Sequence, residues 1–319
     1  MIGYIIRRLG QAVIVILGVT LLVFFLRHLL PGSIARAILG LHASPQAIAQ
    51  FNQANGLNKP LQLQYVAYLS QLIHGNLGYS FKQHESVAAL IISEAPNDVL
   101  LVGASLVLSL AIAIPVGLLQ AVKRNKVADY AVTGISFLLY SLPTYLLGLL
   151  LVDFFAVELR LLPASAPNAS TIGGVLSNPS GLVLPVATLT LVTYALFSRY
   201  MRSSAIDVLA QDYIRTARAK GVGTGGLLLR HLLRNSLIPV ITLVGVSVPG
   251  ILTFGLIVEQ LFNFPGIGLS YYNAALNGDY PVVYGVTVVV ALLTVLGNLF
   301  ADVGYAVLDP RVSYGVRYE

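Results

Sequence analysis

Between Asp212 and Asn235 the chain reads DYIRTARAKGVGTGGLLLRHLLRN, which places Arg215, Arg218, Lys220, Arg230 and Arg234 in one polar insertion between two long apolar runs. Cations at this density, without a clustered acid or metal ligand set, do not make or break bonds. They hold a polar or anionic surface of something else. The histidines that might add proton chemistry, His28, His42, His74, His84 and His231, are dispersed, and His84-Glu85 is followed by Ser86-Val87-Ala88, so the H-E-x-x-H zinc pattern is absent. There is no G-x-S-x-G elbow, no G-x-x-x-x-G-K-[ST] phosphate loop and no cysteine for a disulfide or thiolate site. No catalytic residue, bound cofactor or metal ligand is therefore expected on this chain, and the insertion is read as a docking segment.

The elements that must position it lie in a membrane. Of 319 residues, 56% are hydrophobic and only 10% charged, and the mean hydropathy is +0.81; a soluble domain carries about 25% charged residues. Nucleic acid is not an expected partner despite the net charge of +6, because the cations flank apolar runs instead of forming one basic face. Membrane lipid is. Runs of roughly 20 apolar residues, enough to cross the hydrocarbon, fall at about 9–30, 99–121, 130–157, 181–200, 237–258 and 282–308. The first follows Arg7 and Arg8 but is longer than a signal core and is read as a retained helix. Six spans put both termini on one side. With the N-terminus cytoplasmic, 14 of the 19 Lys and Arg residues lie inside and five (Arg27, Arg36, Lys59, Lys82, Arg160) outside, which is the positive-inside distribution.

The fold class predicted is an all-α membrane protein organised as a cytoplasmic N-terminus with the first span at 1–30, an outer helical cap at 31–97, a core of five further spans at 98–308 and a cytoplasmic tail at 309–319. In the cap, Ser44 before Pro45 reads as a helix cap, Pro60 opens an amphipathic run that Gly75 closes, and a third short helix leads to Pro96. The loop at 158–180 reads as irregular, and LSYYNAAL within 259–281 as a helix against the outer face. The docking segment is drawn at 203–236: a helix stopped by Gly221, then a second short helix capped by Thr224 and running toward Pro239, the two forming a compact knob. Tyr140, Ser141, Pro143, Tyr194 and Pro249 are the expected translocation pathway residues, since polar or kinked positions in spans face protein or water. Asp153 and Glu259 are placed near outer ends, and Asp302 is read as structural.

Several stretches resemble one family. Asp212-Tyr213-Ile214-Arg215-Thr216-Ala217-Arg218-Ala219-Lys220-Gly221 and His231-Leu232-Leu233-Arg234-Asn235 are similar to the cytoplasmic coupling loop of inner-membrane permease subunits of binding-protein-dependent ABC importers, in particular the dipeptide and oligopeptide branch. Gly223, Gly225 and Gly226 add more glycine to the turn than that pattern has. The N-terminal RRLGQAVIVILGVTLLVFFLRHLLPGS, Gly56-Leu57-Asn58-Lys59-Pro60 with Gln64-Tyr65, Gly75 to Ser80, Phe262 to Gly268, Asp279 to Val282, Asn298 to Asp302 and Asp309-Pro310-Arg311 follow the same order as in that branch. The resemblance implies a type I importer architecture: a second homologous permease subunit, two ATP-binding subunits that use ATP and Mg, and an extracytoplasmic substrate-binding protein that delivers a peptide. It also leaves nickel, haem, glutathione and oligosaccharide open as cargo, because similar permeases serve them. A secondary carrier would need an acid near the midplane or an inverted repeat, and neither is visible.

Overall fold

The computed structural model describes residues 2–28, 35–36, 39–40, 43–80, 82–167, 169 and 171–308, with side chains left out at 2–5, 224, 246, 248–254 and 300–308. The tail at 309–319 and the side chain of Asp302 therefore lie outside the described residues. Among those described, the regular elements are helices apart from one two-stranded hairpin, β1 (Tyr79–Ser80) with β2 (Glu85–Ser86), antiparallel and paired Tyr79 to Ser86. Five helices are long and apolar enough to cross a membrane, and a sixth crossing results if one sharply bent pair counts as a single span. The described chain divides into two compact units, 1–96 with 265–299, and 97–264 with 300–319.

In the first unit, α1 (Ile2–His28) packs against α3 (Leu61–Ile73) through Val23, Phe24 and Tyr68, with α2 (Pro45–Ala54) preceding α3. Ser44 does cap α2: its hydroxyl accepts from the Ala47 amide at 3.1 Å, and Pro45 occupies the first turn, where a missing amide proton costs nothing. The expected third cap helix is not separate. A single helix, α4 (Val87–Val122), runs straight through Pro96. Val87, Leu90 and Ile91 are buried before the proline, and Leu101 and Val102 after it. Continuous burial on both sides outweighs the local proline penalty of about 3 kcal/mol. The start of α4 packs on α11 (Ile267–Asn277) and on α12 (Tyr280–Leu308) through Ala274, Val282 and Val286. Polar groups fasten this end: Ser80 donates to the Asp279 carboxylate, Lys82 to the Asn277 carbonyl, and Ser270 to Glu94 at 2.5 Å.

The second unit is centred on α8 (Ser180–Leu209), which packs on α5 (Val127–Ser141), α6 (Thr144–Val152) and α10 (Arg234–Phe262). α5 and α6, the latter extended by a π-helical stretch Asp153–Glu158, occupy the run expected as one span at 130–157, but they meet at 104°. Pro143 accounts for the break: Leu142 before it is extended (ψ 131°), as a residue preceding proline prefers. The 158–180 loop is irregular save for α7 (Ile172–Leu176), and the Ala166 amide donates to the Phe262 carbonyl at 2.8 Å.

Candidate functional site

α8 continues to Leu209, well beyond the expected start of the docking segment, so the excursion between long helices is short. It consists of α9 (Asp212–Ala219), a turn, and a helical run beginning at Thr224. Ile214 and Ala217, three residues apart and thus on one face, are buried against Leu227 with Val208 and Leu209 alongside. Everything else on α9 is exposed: Asp212, Tyr213, Arg215, Thr216, Arg218, Ala219. Asp212 sits in the first turn and Arg218 in the last, each at the helix end whose partial charge it complements. Arg215 donates to Asp212 at 3.3 Å, but both groups are in solvent and the pair contributes little to stability.

Gly221 terminates the helix as expected, with φ +78°. Its amide donates to the Arg218 carbonyl at 3.0 Å and the Val222 amide to Ala217 at 3.2 Å. This pair of reversed bonds satisfies carbonyls that the helix end leaves open, and it requires a left-handed residue at the glycine. The second expected short helix differs from what is found. From Thr224 a π-helical stretch, Leu227–Leu233, leads without interruption into α10, and 227–245 is itself apolar enough to be a span. Wider π turns absorb the extra residue while keeping the backbone bonded. Leu232 anchors this stretch among Ala121, Ala205 and Leu228. His231 and Asn235 are half-buried, the Asn235 side chain donating to the His231 carbonyl at 2.6 Å, while Arg230 and Arg234 are exposed. The result is a small packed platform with Arg215, Arg218, Lys220, Arg230 and Arg234 in solvent. Beside it a cleft of about 430 Å³ is lined by Tyr200, Ser203, Asp207, Gln211, Tyr213 and Asn235.

A half-buried ion pair missed in the sequence joins α8 to α5. Asp129 on α5, 1% exposed, receives Arg202 of α8 in a two-pronged contact, Nε to Oδ1 and Nη2 to Oδ2 at 2.7 Å each, and the Asn125 amide at 3.0 Å. Fork geometry of this kind sets the rotation of one helix against the other. Asp129 follows Lys123, Arg124 and Lys126, and in sequence looks like one more loop charge. The signal available was its place in the first turn of an apolar helix, where an unpaired acid is costly. The seam continues with Gln120 donating to Thr133 at 3.1 Å and with Ser136 and Ser198 hydroxyls 3.4 Å apart.

Among the described residues no group of three or more metal-ligating side chains occurs. The family model for the binding-protein-dependent transport system inner membrane component matches residues 113–314, and the N-terminal model for membrane components of such systems matches 1–102. The chain belongs to this permease family. It is similar to the oligopeptide transport system permease protein AppB of Bacillus subtilis (37% identical, covering 98% of this chain and 100% of that one) and to the dipeptide transport system permease proteins DppB of Alkalihalophilus pseudofirmus (36%, 98% and 100%) and Escherichia coli K12 (33%, 98% and 99%).

The expected pathway residues of the permease stand in different settings. Tyr140 is 54% exposed near the end of α5, followed by Ser141, whose hydroxyl donates to Leu138 at 2.9 Å, and by exposed Pro143 at the break. Tyr194 is 8% exposed, within the core of the second unit. The side chain of Pro249 lies outside the described residues. Not among the expected pathway residues is Arg199, whose guanidinium carbon stands 4.7 Å from the Phe137 ring centroid and 5.2 Å from that of Tyr140. Drawn above as a cytoplasmic cation, it lies ten residues inside α8 and stacks on aromatic faces.

Proposed function

We propose that this permease takes up di- or oligopeptides, delivered by an extracytoplasmic binding protein, through alternating access driven by ATP that separate subunits hydrolyse. In this reading it pairs with a second homologous permease, docks two ATP-binding subunits, binds no cofactor itself and keeps both termini in the cytoplasm. The peptide assignment is supported by its relatives, which are oligopeptide and dipeptide transport system permease proteins. The coupling assignment rests on α9, a short helix capped at a left-handed glycine, with one apolar face seated on the end of α8 and its cations outward.

The mechanism follows from that seating. A helix that docks in a groove of an ATPase subunit transmits displacement only if it is fixed to what it must move. Ile214, Ala217 and Leu227 fix α9 to α8 and to the start of the run into α10, so closure of an ATPase dimer would shift the inner ends of both long helices and turn the cavity outward. Binding-protein contact at 31–97 and 259–281 would then release peptide into it. The test is uptake of labelled di-, tri- and pentapeptides, with nickel, haem and glutathione in parallel, in cells lacking this subunit and in cells with it restored. Restored ATP-dependent peptide uptake is the expected result. Restoration of a non-peptide solute alone would overturn the substrate and leave the importer architecture standing.

A further inference from the structure

Arg27 stands in the last turn of α1, at the end of the 23-residue apolar span Ile6–His28. Such a span covers about 30 Å of hydrocarbon, which sets Arg27 at the depth of lipid headgroups. Its guanidinium carbon lies 5.4 Å from the ring centroid of Tyr68 on α3. Burial pushes the Tyr68 hydroxyl above its ordinary pKa and the neighbouring guanidinium opposes that shift, so the two groups share a partly dehydrated setting. They border a cleft of about 470 Å³ whose lining also includes Lys59 and Gln71. That is a size suited to a small polar group. Among the described residues no carboxylate lines it.

The two cations are held on one frame. Gln64 donates from Nε2 to the carbonyls of Leu57 (2.9 Å) and Lys59 (2.7 Å), while its Oε1 lies 3.1 Å from Nε2 of His28. The other ring nitrogen of His28 is 2.8 Å from the Phe24 carbonyl. The turn carrying Lys59 is thereby tied to the turn carrying Arg27. Leu22, Phe25 and Leu26 of α1 are exposed and do not line the cleft, and Leu63 and Val66 of α3 are exposed on its lining. A cationic recess with apolar side chains around it, at the end of a span, matches one molecule in both halves.

We propose that this cleft binds the phosphodiester headgroup of an anionic phospholipid, with Arg27 and Lys59 on the phosphate and the acyl chains along the exposed side chains of α1 and α3. Free phosphate would satisfy the cations but leave the apolar surface in water. An acidic patch of a docking protein shares the charge and lacks the chains.

The experiment is native mass spectrometry of the purified, delipidated transporter carrying the full chain, titrated with dioleoyl phosphatidylglycerol, dioleoyl phosphatidylcholine or inorganic phosphate. The expected result is retention of one phosphatidylglycerol that neither phosphatidylcholine nor millimolar phosphate displaces. Lys59→Gln, at an exposed turn, should weaken retention about fivefold, Arg27→Gln about tenfold or more, and Arg27→Lys should restore most of it. Arg160→Gln, outside the cleft, should change nothing. Equal retention of the two lipids, retention unchanged by both glutamine variants, or displacement by free phosphate would each overturn the proposal.

Discussion

Replacing Gly221 isolates the contribution of one backbone conformation to coupling. A side chain at this position meets no atom within 4 Å, so within this chain the only penalty is conformational. Holding an L-residue at φ +78° costs about 1–2 kcal/mol, and a β-branched residue lies at or above the upper end, whereas Asn tolerates the left-handed region. Gly221→Val should then lower the population of the capped α9 by about 30-fold for 2 kcal/mol, at tenfold per 1.4 kcal/mol. Gly221→Ala should cost about half as much and Gly221→Asn less. Three readouts are needed in the same cells: membrane insertion of the permease, co-purification of the ATP-binding subunits, and peptide uptake. Insertion should be unchanged, while association and uptake fall in the order Asn, Ala, Val. Wild-type uptake by Gly221→Val would remove this segment from the coupling path. An order that followed side-chain size, with Asn as harmful as Val, would refute the conformational reasoning and point to a partner surface pressed against the glycine.

Arg202→Ala leaves the Asp129 carboxylate without its fork, and since the Arg202 side chain is 28% exposed it should destabilise the purified transporter by about 1.5–3 kcal/mol, read as a lowered melting temperature in detergent; pairing Asp129→Leu with Arg202→Met should recover most of that loss. Gly117→Ala sets a methyl 2.7 Å from Met201 Cβ and 2.9 Å from the Ser198 carbonyl, a backbone contact that cannot yield cheaply, so the same melting assay should show a cost of about 1–3 kcal/mol. Gly134→Ala, with no atom within 4 Å, should be near neutral. Arg218→Glu with Lys220→Glu, both in solvent, should leave the melting temperature within error and yet weaken co-purification of the ATP-binding subunits; unchanged association would mean that the exposed cations serve only membrane orientation.

Apolar run length revealed the spans, because crossing hydrocarbon is a requirement that sequence meets locally. Direction within a span is not local. The run at 130–157 is apolar throughout, and nothing in its hydropathy distinguishes a straight helix from α5 and α6 meeting at 104°. Pro143 was visible, but whether a proline bends a helix or ends it depends on what packs on either side: Pro96 sits inside a continuous helix and Pro143 just outside one. At the end of α9 the glycine stop was legible because φ > 0 restricts residue type. The fusion of the second helix with α10 was not, since π turns carry no residue signature. Asp129 and Arg202 are 73 positions apart; each alone has the look of a surface charge, and only the packing of α5 on α8 turns them into a half-buried pair.

The buried polar groups of the second unit converge on α8, and this decides how a displacement of α9 can travel. Arg202 binds Asp129 of α5, Ser198 meets Ser136 on the same helix, Ser204 donates to the Ser236 carbonyl of α10 at 2.9 Å, and Thr190 donates to the Ser105 carbonyl of α4 at 3.4 Å. A dispersion contact slides at little cost, but a directed bond between helices must break before its partners shift past one another. α8 is therefore held in register with three neighbours along much of its 30 residues, and α9 is packed against its last turn. Force applied to α9 moves this group together. The helical path is interrupted at the extended Leu142 beside Pro143 and in the turn from Gly221 to Gly223, which places compliance there. Those are the positions at which a permease built this way can change shape without dismantling its core.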